Sequence, residues 1–172
     1  YASREFLIGL TANANNESSY RVNAAGDPWR KSNQARSIEV SGNWWCSFGY
    51  WQMNICSKTG GGSQFAKYFN IEVTDAENRT ADGPLFKAIT NEEKQFEFVA
   101  QKLQTLYNNN SNSDAVDWAR LVAVHFELCT ERADINALPY PAKGGQKKFE
   151  TGWEETKERM NVASSINGSI PT

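Results

Sequence analysis

At 172 residues the chain is long enough to bury one real core without staples, and one domain is the simplest expectation. Its 18 basic and 20 acidic residues leave a net charge of −2, which argues against a nucleic-acid binder or an anionic-membrane binder, since either would carry a basic patch. No stretch approaches the roughly 18 apolar residues of a membrane span, and no signal-peptide pattern is visible; because residue 1 is Tyr and not Met, a processed form of a longer protein is expected.

Taken in chain order, Glu5 to about Ser19 reads as a helix, with Phe6, Leu7, Leu10 and Ala14 at helical spacing. Gly26, Asp27 and Pro28 then mark a turn. From Ala35 to Ile55 the pattern changes: SIEVSGNWWCSFGYWQMNI mixes β-formers with glycines, as a short hairpin or irregular lobe does. KTGGGS (Lys58 to Ser63) reads as a flexible loop, or as a turn into a helix beginning near Gln64. After a second loop, TADGPL, Asn91 is set to cap the strongest helix, EEKQFEFVAQKLQTLY, with Glu92 and Glu93 in the first turn where the dipole favours them. NNNSNS is a polar linker, and Ser113 or Asp114 starts a helix through about Leu128. LPYPAKGGQ is another loop, Lys147 to Met160 a last amphipathic helix, and ASSINGSIPT a loosely ordered tail. There is no internal repeat. The expectation is a mainly α (α+β) domain over residues 1–160 with a small β lobe inserted after the first helix, followed by a tail over 161–172.

Cys46 and Cys56 lie ten apart, a spacing that permits a local disulfide without establishing one, and Cys129 is left over. One histidine and no CxxC make a zinc site and a His-based nucleophilic mechanism poor readings, and His125 in ARLVAVHFEL reads as a packed helix residue. Nothing suggests a metal or an organic cofactor. The six Trp, six Tyr and nine Phe are a high aromatic load that suits a core and also suits sugar faces.

Glu17 is the residue with the sharpest chemical reading. It lies seven residues past Leu10 and three past Ala14, so it extends the core-facing stripe at the C-terminal end of the first helix. The negative end of the helix dipole and apolar neighbours both disfavour a charged carboxylate there, as a general acid for glycosidic bonds requires. The plain structural alternative is a frayed helix end with a solvated Glu. In FGYWQMN (Phe48 to Asn54), Gln52 can bond an acetamido group or sugar hydroxyl and Gly49 allows a close backbone approach; the structural alternative is an aromatic hairpin.

A helix ending in NNESSYRVNAAGD, followed about thirty residues later by SFGYWQMN, resembles the phage tail lysozymes of the goose-lysozyme and lytic-transglycosylase superfamily. NEEKQFEFVAQKLQTLY is similar to that family's Q-x-x-F-[LV] helix, and DAVDWARLVAVHFELC to its A-x-x-F-x-x-x-F-E helix, so the resemblance runs from Phe6 to about Met160. It implies a lysozyme-like domain, with Glu17 as the catalytic acid and Gln52 with Gly49 lining the cleft. Phe126 and Glu127 match the family's Phe-Glu pair, but FELCTERA departs from the Arg-Pro that commonly follows, which puts a role for Glu127 in doubt. Tyr50, Trp51 and Trp45 are candidates for stacking on sugars, with core packing the alternative for each.

The implied reaction is cleavage of the β-1,4 bond between N-acetylmuramic acid and N-acetylglucosamine in bacterial peptidoglycan. A hydrolase needs a second group, for which Asp27 is best placed by chain reach and Glu39 is the alternative; Asp27 is equally readable as a turn residue before Pro. A lytic transglycosylase would use Glu17 alone as acid and then base. A third possibility is a non-catalytic glycan-binding or structural virion component on the same scaffold. By the resemblance the protein is expected to be virion-associated beside other phage tail proteins and to act in the bacterial periplasm or cell wall, with no nucleic-acid or membrane partner.

Overall fold

The computed structural model describes residues 2–28, 35–127 and 146–169, and side chains are described except at 124–127 and 146–153. His125, Phe126 and Glu127 therefore lie on a described helix without described side chains, while Cys129 and the LPYP loop fall outside the described residues. The fold is mixed α and β. Among the described residues, seven helices and a four-stranded sheet follow the order α1 (Arg4–Ser18), β1 (Ala25–Pro28), β2 (Ile38–Val40), β3 (Asn43–Phe48), β4 (Met53–Asn54), α2 (Gly61–Tyr68), α3 (Pro84–Ile89), α4 (Glu92–Lys102), α5 (Gln104–Asn109), α6 (Ala115–Glu127) and α7 (Gln146–Ser169). All four strands lie between α1 and α2, where the β lobe is expected. The chain groups into two compact units, one of Tyr1–Asn16 with Leu106–Thr172 and the other of Glu17–Thr105.

In the first unit, small residues let helices approach closely. A Cβ on Gly9 would stand 2.6 Å from the Cβ of Trp118 and 2.8 Å from the backbone N of Ala119, so no larger residue fits without a shift. Buried Asn13 seals this crossing, its Nδ2 donating to the carbonyls of Gly9 at 2.9 Å and Ala119 at 3.1 Å. Ile8, Ala12, Ala115, Ala119 and Ala163 form a core cluster, with Met160, Val162 and Ile166 against it. Phe6 meets Trp118 and Tyr107 edge-on. Leu7, expected on the buried stripe, is 45% exposed: the small-residue contacts at Gly9 and Ala12 rotate the buried face toward Ile8 and away from Leu7. The expected loose tail is also corrected. Residues 161–169 continue α7, because Ala163 is fully buried in the core cluster and holds the last turns.

In the second unit the sheet order is β1-β3-β2, with β4 on β3 through the Gly49–Gln52 turn. All pairings are antiparallel: Gly26 faces Ser47, Glu39 faces Trp44, and Ser47 faces Asn54. Cys46 and Cys56 form a disulfide that ties β3 to the residue pair beyond β4. The stretch read as a turn, Gly26 to Pro28, is strand β1, although Asp27 takes a left-handed φ of 54° within it. The glycine-rich segment is helical from Gly61, earlier than Gln64. A Cβ on Gly62 would lie 2.6 Å from Ile55 Cγ2, so the glycines let this helix start hard against β4.

Asn91 caps α4 as expected, its Oδ1 accepting from Lys94 N–H at 3.0 Å. The helix expected to run on to Tyr107 instead closes at Leu103, fully buried, and restarts as α5.

Candidate active site

Glu17 occupies the last turn of α1 and is half-buried. The helix ends one residue later because Ser19 and Tyr20 both adopt left-handed backbone, with φ of 51° and 61°, and reverse the chain. Two short turns follow, closed by Arg21 N–H to the carbonyl of Ser18 and Ala24 N–H to that of Arg21, both at 3.1 Å. Three residues later comes Asp27. The two carboxylates are thus joined by a ten-residue segment with little slack.

That segment is clamped from two sides. Gln95, fully buried on α4, donates its Nε2 to the carbonyl of Val22 at 3.0 Å, and its Oε1 accepts from the backbone N–H of Tyr50 at 2.8 Å. Gln52 donates Nε2 to the carbonyls of Ala24 at 3.2 Å and Gly49 at 3.1 Å. Gly49 adds its own N–H to the same Ala24 carbonyl at 2.9 Å. Both glutamines lie against glycines. A Cβ on Gly26 would collide with Gln52 Oε1, and a Cβ on Gly49, whose φ is 83°, would collide with the Gln95 amide.

Gln52 and Gly49, expected to line the cleft, are therefore parts of this clamp. A primary amide has two N–H donors, and Gln52 spends both on backbone. Trp51 is 4% exposed and packs edge-on to Phe96 and Tyr50, which takes it out of reach of a stacked sugar. Tyr50 is half-buried and donates its hydroxyl to Glu92 Oε1 at 3.1 Å; burial first, then this carboxylate, hold its phenol above the usual range. Trp45 is half-buried between Ile38 and Pro28 across the sheet.

Asp27 is exposed, and its left-handed backbone turns the carboxylate toward β3 and β4. Its Oδ2 accepts a short hydrogen bond from the Ser47 hydroxyl and a longer one, at 3.4 Å, from Asn54 Nδ2. Asn54 Nδ2 also donates to Ser47 Oγ at 3.1 Å, and Asn54 Oδ1 accepts from Ser57 N–H at 2.9 Å. Ser47 and Asn54 face each other in the β3–β4 register, and the Cys46–Cys56 disulfide braces the same pair of strands. Among the described residues, Oδ1 of Asp27 takes no hydrogen bond. The arrangement is a carboxylate fixed at one oxygen and presented at the other.

Glu39 is exposed on β2 opposite Trp44 and forms an isolated bridge with Thr80. It shares no bond with the Asp27 network. Sequence reasoning missed Ser47, Asn54 and Gln95 as site residues. Gln95 stands in the Q-x-x-F-V pattern of α4, where Phe98 and Val99 are buried one helical turn on, so its burial was readable there; Ser47 and Asn54 meet only through strand register.

Among the described residues no group of three or more His, Cys, Asp or Glu is arranged to hold a metal, and no helix is long and apolar enough to cross a membrane. No protein-family model matches the chain, and no curated protein or solved structure is significantly similar to it.

Proposed function

We propose that this protein is a lysozyme-like glycosidase that cleaves the β-1,4 bond between N-acetylmuramic acid and N-acetylglucosamine in bacterial peptidoglycan. The observation that carries the reading is the Asp27 network, tied through a clamped ten-residue segment to Glu17. Glycoside hydrolysis needs one carboxyl group to protonate the leaving oxygen and a second carboxylate on the other side of the bond. Glu17, half-buried at a helix C-terminus, is the acid. Asp27 is the second group: its Oδ2 is held in one orientation by Ser47 and Asn54 while Oδ1 meets the sugar or its attacking water. Glu39, outside this network, is not given that role.

A dedicated second carboxylate favours hydrolysis over the transglycosylase route, in which the sugar's own hydroxyl replaces water. Loss of the general acid costs about 10²–10⁴-fold in rate. Glu17→Gln is accordingly expected to abolish measurable lysis of purified cell walls while folding and wall binding persist. An unchanged lytic rate would sink the assignment. Mass spectrometry of the released muropeptides is expected to find reducing ends; 1,6-anhydro ends would mean a transglycosylase. The resemblance to phage tail lysozymes supports a virion-associated protein that meets the wall from the periplasm, with peptidoglycan as its partner.

A further inference from the structure

A hollow of about 340 Å³ on the second unit shares no lining residue with the Glu17–Asp27 network and is large enough for a small ligand. Local sequence explains its wall. Ser63 and Lys67 stand four apart and so share one face of α2. Beyond the helix, Asn70 takes left-handed backbone, with φ of 55°, and Ile71 and buried Val73 line the hollow after it. Arg36, ahead of β2, and Lys58, in the loop before α2, complete the cationic side.

Three cations thus line one hollow in a chain whose net charge is −2. Arg36 is fixed in place. Its Nε donates to the Ile55 carbonyl at 2.9 Å and its Nη2 to Ser63 Oγ at 2.8 Å, which leaves Nη1 with no acceptor among the described residues. Lys58 and Lys67 are exposed, and among the described residues their ammonium groups enter no ion pair. Other lysines of this unit do find partners: Lys94 lies over the Phe69 ring and Lys102 donates to Gln64. Glu72 is the one carboxylate in the wall, and its Oε1 is taken up by the Thr74 hydroxyl at 2.7 Å and the Thr74 N–H at 3.1 Å. Like charges gathered around one hollow repel, and an anion between them turns that repulsion into attraction.

A phosphate monoester fits this lining better than a carboxylate does. It carries close to two negative charges at neutral pH and presents three acceptor oxygens, against three cations opposed by one carboxylate. A guanidinium already held at two of its nitrogens can meet those oxygens without first being ordered. Ile71 and Val73 give the hollow an apolar side for a carbon skeleton, and the Asn70 amide can bond a hydroxyl. We infer that this hollow is a binding site for a small phosphate ester, with Arg36 as its fixed donor and Lys58 and Lys67 as the charges that close on the phosphoryl oxygens. The site goes beyond the glycosidase reading and does not depend on it.

Glycerol 3-phosphate, inorganic phosphate and acetate are titrated separately into the full chain by calorimetry at low ionic strength. Glycerol 3-phosphate is expected to bind at one site, more tightly than inorganic phosphate, and acetate at least about tenfold more weakly, for want of the second charge. Lys58→Gln and Lys67→Gln, both exposed changes that leave the core intact, are each expected to weaken the ester by about tenfold, the worth of one charge-assisted contact. Glu72→Gln should tighten it several-fold. Lys87→Gln, which removes an exposed charge on α3 outside the lining, should change nothing.

No binding of the ester, or equal losses in Lys67→Gln and Lys87→Gln, overturns the site. Inorganic phosphate bound as tightly as the ester makes free phosphate the ligand and overturns the assignment of an ester. None of these results bears on Glu17, whose test is wall cleavage.

Discussion

Asp27 and Gln95 are polar side chains held for opposite ends. Asp27 is exposed, with both of its described hydrogen bonds on one oxygen, whereas Gln95 is fully buried and joined by each end of its amide to backbone. Removing a partner of Asp27 should therefore damage chemistry more than folding. Ser47→Ala is expected to lower kcat for wall cleavage by about tenfold, roughly the worth of one charge-assisted hydrogen bond, with KM nearly constant. Ser47→Thr, which keeps the hydroxyl, should recover part of that rate; equal rates in the two variants would exclude a positioning role. Removing the Gln95 amide should damage folding first. Gln95→Leu strips a partner from the Val22 carbonyl and the Tyr50 N–H, two part-buried groups, and at the lower end of the cost of an unsatisfied group the pair amounts to about 2 kcal/mol, readable as a lower midpoint in urea unfolding. Tyr50 makes a pH prediction. Its phenol is held above the usual range by burial and by Glu92, so the folded state favours the neutral form. That contribution is complete below the unfolded value near 10 and is lost as pH rises through the folded value. Tyr50→Phe should flatten this alkaline loss in a pH series of thermal melts.

Among the elements, α4 shows how a helix can serve a site it does not enter. Its cap, Asn91, sets where the helix starts, and that start places Gln95 one turn in, facing the loop after α1 and the turn after β3. Loss of an N-cap of this kind costs about 1 kcal/mol. Asn91→Ala should lower the unfolding free energy by that amount, read as a lower urea midpoint at unchanged slope, and it should reduce lytic activity beyond what the small loss of folded protein explains, because the Gln95 clamp loosens with the first turn. The sheet contributes differently. Its strands are short, and the turn from Gly49 to Gln52 depends on left-handed backbone at both ends, with φ of 83° and 45°. Position 49 accepts no Cβ, since the Gln95 amide fills that space. Gly49→Ala should therefore be among the most damaging single-methyl changes in the chain, seen as loss of soluble, cooperatively melting protein.

For the molecule as a whole, the disulfide is the clearest lever, because it closes a loop of ten residues that contains Ser47, Gln52 and Asn54. Closing a loop of that length stabilises by about 3 kcal/mol. Reduction should lower the melting temperature and, through the β3–β4 pairing, reduce wall lysis while any protein remains folded; parallel melts and lysis assays with and without reductant check both. What the sequence determined by itself was local: the helix over most of 4–18, the Asn91 cap and the β lobe after the first helix follow from spacing, capping chemistry and β-forming residues, which act over a few positions. Partners far apart in the chain were decided by tertiary structure. Gln52 read as a sugar ligand because its amide chemistry is the same whether it faces substrate or backbone, and only the path of Val22 to Gly26 past it shows that both donors are spent. Leu7 passed from the expected buried stripe to the surface, and Trp51 took the core alternative left open for it, for the same reason, since a side chain's burial depends on what packs against its face. Asp27, readable from the sequence both as a second carboxylate and as a turn residue, is the centre of a network because Ser47 and Asn54, twenty and twenty-seven residues away, come beside it through antiparallel register, a relation that no local pattern records.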